Sequence, residues 1–114
     1  MDSILDSTKK VLGIDETYTH FDVDIIMHIN TALFSLSQLG VSITDGYVVK
    51  DKTDTWTMLL GSAMDLEAIK SYIYYKVRLA FDPPKTSYAI KAVEDQVKEL
   101  EWRLSVHSDT TLYT

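Results

Sequence analysis

The sequence predicts an all-α protein, a small helical bundle of four to five helices with a loop or small hairpin near 41–52 and an extended C-terminal tail. Three observations carry this expectation. Apolar residues recur every three or four positions in separate stretches of the chain, the spacing that lines one face of a helix. Gly13, Gly40, Gly61 and the pair Pro83-Pro84 punctuate those stretches; glycine accepts the left-handed turn that closes a helix, and proline cannot continue one. The 114 residues are 46% hydrophobic and 25% charged, the balance of a packed domain rather than a disordered chain. A single domain is expected over 1–104, with 105–114 as a flexible C-terminal tail.

The first helix is expected over Ser3 to Leu12, with Ile4, Leu5, Thr8, Val11 and Leu12 on one face. Ser3 with Asp6 three residues on reads as a capping box, and Gly13 as the stop. Thr19 with Asp22 repeats the start signal, and Ile25, Ile26, Ile29, Ala32, Leu33, Leu36 and Leu39 form a sustained stripe up to Gly40,. Val41 to Lys52 breaks that period around Asp45-Gly46, a turn signal. TDTWTMLL, from Thr53 to Leu60, predicts a short helix capped by Thr53 with Trp56, Leu59 and Leu60 inward and Gly61 closing it. A helix from about Asp65 carries Leu66, Ile69, Ile73, Val77 and Ala80 inward and must stop before Pro83. Ser87 caps the last helix, whose Ile90, Val93, Val97, Leu100 and Leu104 make a heptad-like seam. Its outer face pairs Glu94 with Lys98 and Glu99 with Arg103 at i,i+4. After Leu104 the segment SVHSDTTLYT loses helical propensity and reads as an extended end, ordered only against a partner.

Composition removes several classes of function. Without cysteine there is no disulfide framework, thiolate metal site or cysteine nucleophile,. Net charge is −6, from 17 acids against 11 bases, and no basic block stands out to neutralise phosphates, so neither nucleic acid nor an anionic membrane is an expected partner. No apolar run reaches bilayer length, and MDSILDSTKKVLG lacks an apolar signal core, which predicts a protein made and kept in the cytoplasm of whatever cell expresses it.

No constellation supports catalysis, and no catalytic, cofactor-binding or metal-binding residue is assigned. His20, Asp24 and His28 stack at i, i+4 and i+8, but the outer two are about 12 Å apart along a helix, too far to share one ion. Asp65, Glu67, Glu94, Asp95, Glu99 and Glu101 sit beside bases and read as solvated faces. There is no GxSxG elbow and, with four glycines, no phosphate loop,. The aromatics say more. Tyr72 and Tyr75 share a flank of their helix while Tyr74 faces elsewhere, so that helix is either deeply buried or touches a partner. Trp102 falls just off the seam, where it covers the seam's edge or faces a neighbour. The terminal LYT, with Tyr113, suits addition of a strand to a partner's sheet.

Trp56 in DTWTMLLG, the stretch LEAIKSYIYYKVRLAFDPP ending at Pro84, and AVEDQVKELEWRL up to Leu104 together resemble the phage head–tail connector (adaptor, or head completion) family over roughly residues 20 to 105. Phe81-Asp82-Pro83-Pro84 and Glu101-Trp102-Arg103 at this separation carry the resemblance, and Gln38-Leu39-Gly40-Val41 suits it. The resemblance implies a subunit of a twelve-fold ring beneath the portal protein, in the neck of the virion. Such a ring extends the DNA channel, helps retain the packaged genome and offers a platform to a downstream neck or tail completion protein. It implies no cofactor and no turnover. An acidic ring lets DNA pass without specific binding, because like charges repel. A closed ring also needs two different contact faces per subunit; Tyr72, Tyr74, Tyr75, Trp102 and Tyr113 are the candidate interface residues, and Trp56, Phe81, Asp82, Pro83, Pro84, Glu101 and Arg103 the structural motif. The rival reading is a small phage-encoded helical regulatory or DNA-binding protein, which needs a basic recognition helix that none of these helices supplies.

Overall fold

The computed structural model describes residues 3–40, 48–60 and 66–112. Those residues form five helices, α1 (Ile4–Val11), α2 (Asp22–Gln38), α3 (Trp56–Leu60), α4 (Leu66–Phe81) and α5 (Ser87–Leu112). The small all-α bundle expected from the periodicity is therefore what the chain builds. The sole extended pairing among the described residues is an isolated antiparallel bridge between Ser3 and Thr55. Residues 41–47, the greater part of the expected loop or hairpin, and Asp65 lie outside the described residues.

The helix ends show what local chemistry dictated. The Ser3 Oγ accepts the Asp6 N–H at 3.2 Å, and Gly13 and Gly40 close α1 and α2 at φ of 80° and 84°, the left-handed backbone that favours glycine. Three other caps fall on different residues from those expected. No side chain caps α2, which follows Phe21; Thr19 contributes only its carbonyl, accepting the Asp22 N–H at 3.2 Å. α3 is capped by Thr55, whose Oγ1 accepts the Met58 N–H at 3.2 Å, while Thr53 donates its N–H to Asp51 Oδ1 at 2.8 Å. At α5 it is Thr86 Oγ1 that accepts the Ala89 N–H at 3.1 Å, with Ser87 already helical. Neighbouring serines and threonines are chemically equivalent caps, so the backbone path chooses among them.

α4 is the central helix, packed against α2 and α5. Its Ile69, Tyr72, Ile73 and Val77 meet Ile25, Ile29, Leu33 and Leu36 of α2 and Val97 and Leu104 of α5 in one core, closed by Ile4 and Leu5 of α1, Trp56 and Leu59. The predicted seam of α5 is thus buried at Val97 and Leu104, whereas Ile90, Val93 and Leu100 are half-buried. α5 also runs on to Leu112, so residues 105–112 are helical where an extended tail was expected. Once a helix is anchored, each further residue adds a hydrogen bond without a new nucleation cost, and weak propensity alone does not end it.

Polar tethers fix the irregular segments. Asn30 clamps residue 49 from both sides, its Nδ2 donating to the Val49 carbonyl at 3.0 Å and its Oδ1 accepting the Val49 N–H at 2.8 Å. Buried Asp54 accepts the N–H groups of Lys50 and Asp51 at 2.7 and 3.1 Å,. Lys9 is buried too; its Nζ donates to the Glu16 carbonyl at 3.0 Å and lies 2.9 Å from Asp22 Oδ1, so a single ammonium joins α1, the following turn and the start of α2.

Candidate assembly surfaces

The residues of the FDPP motif build the corner between α4 and α5. Phe81 ends α4 and meets Phe21 edge-on, ring centroids 5.3 Å apart. Arg78 Nε donates to the Asp82 carbonyl at 2.8 Å and the Asp82 N–H donates to the Arg78 carbonyl at 3.0 Å, tightening the last turn. Pro83 is exposed and Pro84 half-buried; neither can extend α4, so the chain turns into α5.

Tyr72 does not belong to the surface. Expected among the interface aromatics, it is fully buried in the core, and its hydroxyl donates to Glu101 Oε2 at 2.8 Å. Burial pushes its pKa well up, and the hydrogen bond to the Glu101 carboxylate and that group's charge push the same way. Glu101 of the motif thus ties α5 to α4, while Arg103 pairs along the helix with Glu99 at 2.6 Å on the exposed face.

This arrangement makes a pH prediction. The unfolded tyrosine ionises near its ordinary value of 10.0, whereas the folded one stays neutral. The tyrosine's contribution to stability is complete below about pH 10 and is lost as pH climbs further toward the folded value, because only the unfolded chain then gains by ionising. Denaturant titrations of wild type and Tyr72→Phe should differ by a roughly constant amount, about 1.5 to 3 kcal/mol for a hydrogen bond to a carboxylate, from pH 7 to 9. The gap should narrow above pH 10; a constant gap would show that the phenol titrates freely.

The other candidates divide. Tyr74 and Tyr75, both half-buried, line a groove of about 460 Å³ with Val11, Arg78, Pro84 and Val93. Trp102 is 67% exposed on the outer side of α5, where Tyr88 is 86% exposed. Trp56 is core: its indole Nε1 donates to Ser7 Oγ at 3.0 Å, its ring meets Tyr74 edge-on, and Lys70 Nζ lies 5.5 Å from its centroid. Tyr113 lies outside the described residues.

α2 carries a second apolar surface besides its core stripe. Val23, Met27 and Phe34 are 80%, 56% and 63% exposed. At 3.6 residues per turn they fall within about 40° of one another, on the side away from buried Ile25, Ile29, Ala32 and Leu36. The Asn30 clamp brings exposed Val48 beside them. The signal was present as a second period, i, i+4 and i+11, hidden behind the stronger core stripe.

His20 and His28 lie beside aromatic rings, His20 edge-on to Phe21 at 4.8 Å and His28 edge-on to Phe81 at 6.4 Å between ring centroids. Among the described residues no three histidines or carboxylates are grouped to hold a metal. No helix among them is long and apolar enough to cross a membrane.

The described residues thus form a helical bundle that leaves aromatic and aliphatic side chains exposed on two sides. Residues 4–111 match the family described as phage connector protein. The chain belongs to that family. No curated protein and no solved structure matches it. The match covers α1 and nearly all of α5, beyond the span in which the motifs were legible. As a phage connector, the protein is a structural component of the virion whose contacts are with other head and tail proteins. The connector's conspicuous residues divide between those that hold the bundle together, Trp56, Tyr72, Phe81 and Glu101, and those left on its surface, Phe34, Tyr88 and Trp102.

Proposed function

We propose that this connector is a head–tail adaptor, one of twelve subunits in a ring beneath the portal protein. The ring extends the channel for DNA, helps retain the packaged genome and gives the next neck or tail completion protein its attachment platform. The observation that carries the reading is the family match over residues 4–111, and the two separate surfaces of one small subunit support it, since a head-to-tail ring uses a different face toward each neighbour. The net charge of −6 suits a channel through which DNA moves without being gripped,. The connector is made in the host cytoplasm and ends in the neck of the virion.

The test is to abolish the gene in its phage and image the lysate by electron microscopy. The expected result is unjoined tails beside heads of complete shape that have leaked their DNA. Normal virions would remove the adaptor role and leave a regulatory or DNA-binding function as the alternative.

A further inference from the structure

We draw no further inference here: the strongest candidate, the groove where Tyr74, Tyr75 and Arg78 of α4 meet Pro84 and Val93 at the start of α5, is an unpartnered, largely apolar face, and nothing in the structure shows what covers it.

Discussion

Trp56→Ala should lower the stability of the connector by about 3 to 5 kcal/mol, a large part of what a domain of this size possesses. The side chain is fully buried between α1 and α4 although it belongs to the short α3. A five-residue helix has no stability of its own,, so its position depends on this anchor and on Leu59. Loss of the ring leaves a cavity beside Tyr74 and takes the indole donor from Ser7 Oγ, which keeps only its own bond to the Ile4 carbonyl at 3.2 Å. Trp56→Phe keeps most of the apolar volume and gives up the indole N–H, so it should cost much less. Urea unfolding followed by circular dichroism measures both. A loss below about 1 kcal/mol for the alanine variant would show that α3 is not held through Trp56.

Lys9→Ala should cost about 2 to 4 kcal/mol. Breaking a buried pair by removing one partner leaves the other charge uncompensated, and here the carbonyl of Glu16 loses its donor as well. The Asp22 side chain is 24% exposed, but the Oδ1 that faces Lys9 is buried, so water reaches the carboxylate only elsewhere. The Lys9 side chain has 1% exposure, and the interaction should be nearly independent of salt, unlike the exposed Lys91–Asp95 pair at 3.0 Å,. Lys9→Met restores packing without the charge and should lie between wild type and the alanine variant. Lys9→Met with Asp22→Asn should approach wild type, because a buried pair is worth little relative to a well-packed apolar replacement. A double-mutant cycle from thermal melts gives the coupling; additive losses would mean that Lys9 acts through its hydrocarbon stem alone.

The residues expected in the core and those expected at the surface differ in how legible they were. Ile25, Ile29, Leu33 and Leu36, or Ile69, Ile73 and Val77, announce themselves because burial of one helix face imposes a period of 3.6 on the sequence. Tyr72 did not, since a tyrosine suits both a core and an interface; the carboxylate that accepts its hydroxyl lies 29 positions away at Glu101, a partner that no local pattern reveals. Lys9 was unremarkable for the same reason, as nothing adjacent marks a lysine whose nitrogen meets Asp22. The exposed stripe of Val23, Met27 and Phe34 was hidden in the opposite sense. A helix apolar on two sides has its buried side chosen by whichever neighbours the fold supplies, so composition alone did not separate stripe from core.

By itself the sequence determined the helical class, the places where α1, α2 and α4 stop and the connector family. Those are consequences of short-range chemistry: apolar period, glycine and proline backbone limits, and a motif set read in order along the chain. Tertiary structure decided which of equivalent serines and threonines cap, how far α5 runs, that Tyr72 is core, and which apolar residues of α2 remain for a partner. Each of these depends on the free energy of contacts between residues distant in sequence, where a few kcal/mol from packing outweigh the tenths contributed by local propensity.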